Sequence, residues 1–520
     1  MPYLFPLPLL APLLLLASAA VSTMCPGRRP GLYPKASEAS AFIALVLALA
    51  GLVQLLVLGA TEATLFEGPF TLVVRLDPIS VTMTLLVTFI GWVVMRYSRT
   101  YLDGETREGA FHGLMLTALA AVLVVVQSGS LFLLVLGFAG IGLCLRRLLL
   151  FYPQRAAAQR AATKFALVWH AGDISLLLAA GLFMASTGTA QLGQLSETVG
   201  PDLSFVEHLA VVFLVLAAVL KTAAFPLHGW LTEVMEAPTP VSALLHAGII
   251  NAGGFLLIRT ADLVQASPGA MGTLVALGGL TALFGAVVML TQSAVKTALA
   301  WSTISQMGFM LLQCGLGLWP LALLHVVAHS LYKAHAFLSS GGAVLAVAKL
   351  RRPGPIAIPS VANVLRSFAI ALFLYAIVSF AFSMIAGPKT PQALAIGAML
   401  IFGVAYLVAQ GLADAAPAEL TYRTSLAAVI VAFAYFGFQQ VANLLWGAAL
   451  PQAPVAGPLE WALIVLAVLS FGIVAVAQTL FPLWSHHPSN AGLRVHIANG
   501  LYLNALLDRF IGGYRVANSK

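Results

Sequence analysis

Long apolar runs separated by short polar stretches repeat along the whole chain of 520 residues. Many of these runs exceed the roughly 18 residues that a helix needs to cross a ~30 Å hydrocarbon layer. The pattern predicts an all-α, polytopic membrane protein with 15 spanning helices. The predicted spans are 3–22, 38–60, 77–95, 110–127, 130–145, 165–186, 207–235, 240–258, 269–290, 298–315, 318–348, 367–387, 392–411, 424–447 and 458–481.

The composition agrees with a membrane protein. Hydrophobic residues make up 60% of the chain and charged residues only 8%, whereas a soluble domain carries about 25% charged residues. In a soluble protein the net charge of +8 would suggest a nucleic-acid partner, but here it reflects basic loops. With the amino terminus outside and the carboxyl terminus inside, 21 of the 26 Lys and Arg residues lie in inward loops, and only Arg75, Arg259 and Lys389 lie in outward loops. The positive-inside rule therefore predicts an N-out, C-in orientation.

Two lysines, Lys221 and Lys333, lie inside predicted spans. A buried ammonium is costly in lipid unless it is paired, hydrated or neutralised, so an intramembrane lysine indicates an ion or substrate path. Pro226 follows Lys221 by five residues, and a proline inside a helix removes a backbone hydrogen bond and kinks or breaks the helix. In a membrane such breaks occur where protein covers them or where they line a wet cavity. Pro238 and Pro240 then mark the entry to the next span.

Histidines accompany both lysines. His325, His329 and Lys333 follow one another at intervals of four residues, which predicts a single stripe along one helix face. Imidazole and amine groups can accept and pass protons when burial changes their protonation equilibria. We therefore interpret the stripe as a candidate route for protons.

Asp173 is the only acid deep within its predicted span, which makes it a candidate counter-ion for Lys221. A single buried histidine is usually a hydrogen-bonded packing residue, and this is the interpretation adopted for His170 and His208. Glu233 is expected to be solvated near the inner face. No metal site is predicted, because the histidines lack nearby carboxylates and lysine is not a usual ligand. The three cysteines are too far apart to indicate a disulfide framework or a metal site, and no cofactor is expected.

A family resemblance is carried by three long segments: LKTAAFPLHGWLTEVMEAPTPVSALLHAG, LTQSAVKTALAWSTISQMGFM and LLHVVAHSLYKAHAFL. They resemble the antiporter-like subunits of respiratory complex I and of the multisubunit sodium/proton antiporters. The resemblance extends from about Leu72 to about Ala348. It implies central buried lysines at Lys221 and Lys333, and proton-relay histidines at His246, His325 and His329.

The same resemblance implies two inverted five-helix repeats, each with a broken helix. One break is expected around Pro226 and the other in the span near 367–387. The resulting division of the chain is N-terminal transmembrane helices at 1–108, an antiporter-like core at 109–411 with repeats at roughly 109–258 and 269–411, C-terminal transmembrane helices at 412–481, and a cytoplasmic tail at 482–520.

The chain also departs from the family pattern. Ala139, next to Phe138, occupies the position in the fifth span where members with a full proton channel carry a glutamate. Lys221 is therefore expected to lack that carboxylate, and the twelfth span, 367–387, lacks the expected lysine. The ending NGLYLNALLDRFIGGYR is similar to short, divergent members that work in two-subunit systems.

In those systems the partner is a zinc-containing, carbonic-anhydrase-like protein. The resemblance implies a subunit of a bacterial inner membrane that uses H+ or Na+ entry to energise CO2 and bicarbonate accumulation, without enzymatic chemistry of its own. Two alternatives remain open. One is a subunit of a multisubunit Na+/H+ antiporter or NADH-quinone oxidoreductase complex, and the other is a membrane anchor that has lost conduction.

Overall fold

Helices occupy the described part of each of the 15 predicted spans, and residues 3–5 of the first span lie outside the described residues. The computed structural model describes residues 6–200, 202–342, 360–411, 418–484 and 487–511. Within those ranges, 11 helices are apolar and long enough to cross a membrane by length and composition. The helices that lie in the 15 predicted spans are α1 (Leu7–Thr23), α2 (Tyr33–Leu58), α3 (Pro78–Tyr101), α4 (Glu108–Val126), α5 (Leu131–Leu149), α6 (Ala156–Thr187), α7 (Phe205–Lys221), α8 (Thr239–Arg259), α9 (Pro268–Met289), α10 (Val295–Gly315), α11 (Trp319–Ser339), α12 (Val361–Ala386), α13 (Pro391–Gly411), α14 (Ala418–Trp446) and α15 (Pro458–Trp484). The 11 that meet the length and composition for a span are these helices without α1, α7, α10 and α13. The predicted polytopic helical fold is confirmed, although residues 343–348 of the span 318–348 lie outside the described ranges.

Shorter elements connect these helices. The short helices are Leu192–Thr198, Gly229–Glu233 and Ala261–Gln265, and the segment after α15 forms α16 (Pro488–Ala498) and α17 (Leu503–Ile511). The outward loop between α2 and α3 contains an antiparallel hairpin of β1 (Thr61–Phe66) and β2 (Leu72–Leu76). The all-helical prediction missed this hairpin, because two short strands between apolar helices leave no strong pattern of their own.

The most enclosed helix is α8. In α8, 94% of the most apolar stretch is buried, against 17% in α15. It packs against α3, α7, α10 and α11. The polar side chains of α8 are therefore held in the middle of the bundle, away from lipid.

The expected break at Pro226 is present. Helix α7 ends at Lys221, residues 222–228 are not helical, and a short helix resumes at Gly229. Pro238 is the N-cap of α8 and Pro240 lies in its first turn, where a proline needs no amide partner. These three prolines therefore separate α7 from α8 as the sequence indicates.

The second expected break, in the span near 367–387, is wrong. Helix α12 runs without interruption from Val361 to Ala386, and its sequence contains neither proline nor glycine. The second interruption lies instead inside α8, where Gly248 leaves the helical conformation and a short 3-10 segment, Ile249–Asn251, follows. The domain division at residues 108, 411 and 481 stays a prediction.

Contacts between helix ends agree with the predicted alternation of sides. Lys164 and Glu233, both assigned to the inside, form an ion pair. Arg259 and Asp77, both assigned to the outer end, lie 2.5 Å apart. The orientation of the whole bundle rests on the distribution of basic residues in the loops.

Asp77 pairs with two of the three basic residues assigned to the outside, Arg75 and Arg259, and this explains their presence there. Asp77 caps α3, and its Oδ2 accepts hydrogen bonds or ionic contacts from Arg259 at 2.5 Å and Arg75 at 3.0 Å. Arg259 also donates to the Ser128 carbonyl at 3.2 Å. Glu62 Oε1 also lies 3.4 Å from Arg75 Nε, so two carboxylates balance the two guanidinium groups at this point of the outer end.

Replacing Arg259 with Met should destabilise the protein by about 3–5 kcal/mol, because it leaves a buried carboxylate without its main partner. The measurement is the thermal unfolding midpoint of the purified protein in detergent. Arg29→Met is the matched control, since its ion pair with Asp103 is mostly exposed and exposed pairs contribute about 0–1 kcal/mol. Equal midpoints for the two variants would contradict a structural role for the outer pair.

Candidate ion-translocation site

Lys221 forms a buried ion pair at the helix break. Its side chain is fully buried, and its Nζ lies 2.5 Å from Asp173 Oδ1 in α6. The Trp169 carbonyl oxygen lies 3.5 Å from the same nitrogen. Lys221 is also the last residue of α7, where unpaired carbonyl groups and the helix dipole favour a positive charge. The local structure can therefore hold an ammonium far from water.

Two aromatic rings cover this ammonium. Lys221 Nζ lies 4.5 Å from the ring centre of Phe138 and 4.3 Å from that of Trp169, within the range of cation–π attraction. Trp169 Nε1 donates to the Phe138 carbonyl at 3.0 Å, which links the two aromatic residues. Gly172 makes room for the lysine, since a Cβ at this position would lie only 3.3 Å from Lys221 Cγ.

The carboxylate that faces Lys221 comes from α6 rather than from α5. Ala139 stands beside Phe138 in α5 and offers no acid, as the sequence comparison expected, but Asp173 supplies one. Asp173 Oδ2 lies 3.1 Å from His170 Nδ1, and the side chain of His170 is 40% exposed. His170 was expected to be a buried, hydrogen-bonded packing residue. It does contact Asp173, but its side chain is partly exposed and continues the ion pair towards the surface of α6.

Lys333 is also buried, but its surroundings differ. Its Nζ donates to the Leu299 carbonyl at 3.0 Å and to Ser302 Oγ, both in α10. Within the described part of the chain, no salt bridge to Lys333 is found. The Tyr332 ring centre lies 5.6 Å from Lys333 Nζ, near the limit of cation–π attraction. A buried ammonium without a carboxylate partner is much less stabilised than one beside a carboxylate. Of the two membrane lysines, Lys333 is therefore the one whose positive charge is less stabilised.

His246 lies in the middle of α8 and is fully buried. Its Nδ1 is 3.0 Å from Thr303 Oγ1, and its ring stacks on Phe337 at 4.3 Å between ring centres. Its Nε2 has no protein partner in the described structure. Buried polar atoms of this kind are ordinarily satisfied by water.

His325 and His329 lie next to each other on α11, as their spacing predicted. Their ring centres are 6.1 Å apart, and His325 Nδ1 contacts Gln313 Oε1 at 2.8 Å. His329 Nε2 lacks a protein partner among the described residues. At this distance a proton passes between the rings only through water or a side-chain rotation.

A groove of about 740 Å³ runs along α10 and α11. It extends from Gln292, in the inward loop between α9 and α10, to His325 and His329, and it includes Ser302, which holds Lys333. Its volume is far larger than the roughly 30 Å³ that one water occupies in the liquid. The groove therefore provides space for water beside both histidines.

More buried polar atoms without protein partners lie near the break and in α8. Within the described residues they include His228 Nδ1 and Trp230 Nε1 at the break and Ser242 Oγ in α8. The His228 ring lies 5.0 Å from that of Trp301 in α10, so it lies between the break after Lys221 and the helix that contacts Lys333. No direct hydrogen bond between the two centres is found in the described structure, and any proton exchange between them requires water.

A third buried amine was missed. Lys164 was counted as a loop residue, but it lies in α6 with its side chain almost fully enclosed. It forms ion pairs with Glu233 and with Asp508 of α17, and its Nζ donates to Asn504 Oδ1 at 2.8 Å. The expectation that Glu233 is solvated is therefore wrong, because this acid is held by Lys164 and Asn504 after the break.

The sequence also left other site residues unassigned. Ser302 and Thr303, which hold Lys333 and His246, lie in a run of small polar residues with no recognisable spacing. His228 lies at the end of the break, seven residues after Lys221. Its position next to the break was the signal that could have marked it as a site residue. His208, expected to pack, is exposed. Within the described residues, no group of three His, Cys, Asp or Glu side chains is placed to hold a metal ion.

The fold and these enclosed charges define a polytopic membrane subunit with ionisable groups in its core. Residues 128–387 match the family described as "NADH:quinone oxidoreductase/Mrp antiporter, TM", and residues 67–112 match "NADH-Ubiquinone oxidoreductase (complex I), chain 5 N-terminus". The chain is 36% identical to the probable inorganic carbon transporter subunit DabB2 of Halothiobacillus neapolitanus, over 96% of this chain and 92% of the relative. The chain belongs to the NADH:quinone oxidoreductase/Mrp antiporter family and, within it, to the DabB group of inorganic carbon transporter subunits.

Two further similarities support this placement. The probable inorganic carbon transporter subunit DabB of Hydrogenovibrio crunogenus is 43% identical over 55% of this chain and 56% of the relative. The structure of the Mrp complex from Dietzia sp. DQ12-45-1b is similar to the fold with a TM-score of 0.66 at 25% identity, over 97% of this chain and 59% of that chain. The described fold is thus shared well beyond the DabB group.

Proposed function

We propose that this protein is the cation-translocating membrane subunit of an inorganic carbon transporter. In this proposal it admits H+ across a bacterial inner membrane and thereby energises CO2 and bicarbonate accumulation by a soluble partner. The partner would be a zinc-containing, carbonic-anhydrase-like protein of the DabA type, which carries out the CO2 chemistry. The observation that carries the proposal is Lys333, a buried amine without a carboxylate partner among the described residues, in a chain that aligns with DabB2 over 96% of its length.

The proposed route begins at the outer half of α11. A proton enters by way of His325 and His329 and reaches Lys333, then passes through water to His246 and on towards Lys221. Ring spacing of 6.1 Å between the first two histidines and the unpartnered Nε2 atoms of His329 and His246 support a hydrated route.

The two lysines would work in alternation. A positive charge on Lys333 repels a positive charge further along the route, whereas Asp173 stabilises the positive charge on Lys221. Entry of one charge down the membrane potential supplies about 2.3 kcal/mol per 100 mV. This energy is enough to bias a two-state gate, but a complete switch in population requires about 5.5 kcal/mol. Repeated or coupled charge movements would therefore be needed to drive uptake strongly one way.

The chemistry of the route favours H+ over Na+. Its members are imidazoles and amines, which bind protons, whereas Na+ sites in transporters are built from backbone carbonyl groups and helix ends. Among the candidate site residues, only Asp173 carries a negative charge, and it already faces Lys221 and His170.

An uncoupler should reduce inorganic carbon accumulation to the level of cells that lack the protein, because the proposal derives all the driving force from the proton gradient. The measurement is uptake of radiolabelled inorganic carbon in cells that contain the chain and its soluble partner, with and without a protonophore. Replacement of external Na+ by K+ is the matched control and should leave uptake unchanged. Uptake that survives the protonophore would favour the alternative of a membrane anchor that has lost conduction. Uptake that stops without Na+ would favour a sodium route.

The second candidate is a subunit of a multisubunit Na+/H+ antiporter or quinone oxidoreductase complex. The likeness to the Mrp complex, with a TM-score of 0.66, favours this alternative. The proteins that co-purify with the chain decide between the two candidates. A single large soluble partner supports the carbon transporter, and a set of further membrane subunits supports the antiporter or oxidoreductase.

A further inference from the structure

The segment after α15 contains a helix whose polar side faces the protein and whose apolar side faces outwards. In α17, Asn504 and Asp508 are four residues apart and both contact Lys164. Leu506 and Phe510, also four residues apart, are 60% and 88% exposed. A helix that rests on a membrane protein from the aqueous side normally buries its apolar face. We propose that the outer face of α16 and α17, formed by Leu493, Val495, Leu501, Leu506 and Phe510, is the docking surface for the soluble partner subunit.

The polar side of α17 is firmly anchored. Lys164 pairs with Asp508 and Glu233, and Asn504 Nδ2 donates to Glu233 Oε1 at 2.7 Å. These contacts connect three separate parts of the chain: α6, the segment after the break, and α17. The outward direction of Leu506 and Phe510 is therefore set by an ionic network rather than by a loosely held tail.

The turn between α16 and α17 is held in an unfavourable backbone conformation. Gly500, Leu501 and Tyr502 have φ angles of 56°, 53° and 60°. Residues with a Cβ avoid this left-handed region, and it persists where surrounding contacts impose it, often at binding sites. Gly500 packs so closely against Trp301 that a Cβ there would lie 3.1 Å from the ring. As a result, the side chain of Leu501 is 49% exposed and contributes to the outer face.

The exposed residues of α16 favour a protein over a lipid surface as the occupant. Leu493 and Val495 are two residues apart, so they point to nearly opposite sides of the helix, and both are about half exposed. A membrane surface engages one apolar side of an interfacial helix, whereas a groove in a protein can enclose both sides. Arg494 and Arg509 lie beside these apolar residues, while the acid Asp508 is turned inwards. The matching surface on the partner is therefore expected to be an apolar groove with acidic residues at its rim.

Docking on this face would act on both elements that hold Lys221, an inference that rests on the proposed function. Lys164 and Asp173 are nine residues apart on α6, and Glu233 follows the break that begins after Lys221. A partner that shifts α17 would therefore shift α6 and the segment after the break as well. These are the two elements that hold Lys221, so partner binding is connected to the buried ion pair.

The test is co-purification of the soluble partner with the full-length chain in detergent, where no bilayer is present. Leu506→Glu combined with Phe510→Glu should reduce the bound partner at least tenfold, because two charges enter the apolar groove. Both residues are exposed, so insertion and yield should match the parent protein. Leu32→Glu is the matched control, since Leu32 is 75% exposed in another inward loop, and it should retain the partner fully.

Two results would overturn the docking surface while leaving the proposed function intact. One is full partner binding by the double variant. The other is full binding in detergent with loss of uptake only in lipid vesicles, which would identify the outer face as a lipid contact. A parent chain that binds no soluble partner at all would overturn both proposals. Partner binding without proton-driven uptake would instead contradict the proposed function alone.

Discussion

Lys333→Met should abolish inorganic carbon accumulation while leaving the protein at least as stable as the parent chain. Lys333 is buried against the Leu299 carbonyl and Ser302, without an acid among the described residues. Methionine keeps the length and apolar stem of the side chain but cannot carry a proton. Replacing an unfavourable buried charge by an apolar group of similar shape is often neutral or stabilising. Uptake of radiolabelled inorganic carbon and the thermal unfolding midpoint measure the two effects.

Lys333→Arg separates a switchable charge from a permanent one. Arginine retains its proton under all physiological conditions, so this variant keeps the charge yet should also lose uptake. Lys296→Met is the matched control, because Lys296 lies at the inner end of α10, contacts Thr239 at 3.0 Å, and is outside the proposed route. Full uptake by Lys333→Met, or by Lys333→Arg, would contradict a protonation cycle at this residue.

The sequence was sufficient to predict where the chain crosses the membrane and where α7 breaks. Spanning helices leave long apolar runs, and the cost of burying charge makes Lys221 and Lys333 conspicuous in them. The effect of Pro226 on the helix is local, so it too can be inferred from the sequence. Each of these features depends on neighbours close in the chain.

Features that depend on how helices rotate against each other were harder to predict. The sequence suggested Asp173 as a counter-ion, but its position beside Lys221 depends on the packing of α6 against α7. Ser302 and Thr303 hold side chains from two other helices, and nothing in their own sequence indicates these partners. Lys164 was assigned to a loop for another reason: α6 begins at Ala156, nine residues before the predicted span, and this first part of the helix is not a long apolar run.

The expected break in α12 failed for a different reason. It was transferred from the family resemblance and not from residues in this chain. Helix α12 contains no proline or glycine between Val361 and Ala386, so its own sequence favours an uninterrupted helix. The interruption in α8 occurs at Gly248, where a Cβ would lie only 2.9 Å from the Leu244 carbonyl oxygen, so the residue without a side chain fits this bend.

The two membrane lysines therefore have different tasks in the proposed cycle. Lys221 has a carboxylate, two aromatic rings at 4.3–4.5 Å and a helix C-terminus around its ammonium, while Lys333 has neutral oxygens and one more distant ring, that of Tyr332 at 5.6 Å. A charge on Lys221 is well stabilised and one on Lys333 is poorly stabilised. The asymmetry gives a direction to proton movement, from the poorly stabilised site to the well stabilised one, and makes Asp173 the residue on which this direction depends.

Asp173→Asn should destabilise the protein by about 3–5 kcal/mol and stop uptake, because it leaves Lys221 without its carboxylate in a buried site. The double variant with Asp173→Asn and Lys221→Met should recover most of the lost stability, since the unpaired charge is gone, but none of the uptake. Thermal unfolding and uptake of radiolabelled inorganic carbon are measured on the parent, both single variants and the double variant.

Glu236→Gln is the matched control, because the pair of Glu236 and Arg155 is exposed and should affect neither property. The parent, the two single variants and the double variant form a double-mutant cycle. In such a cycle, coupled residues give losses of stability that do not add. If the two single losses of stability simply summed in the double variant, Asp173 and Lys221 would not act as a pair. If uptake returned together with stability, the ion pair would support the fold alone, and the direction of proton movement would have to come from another part of the chain.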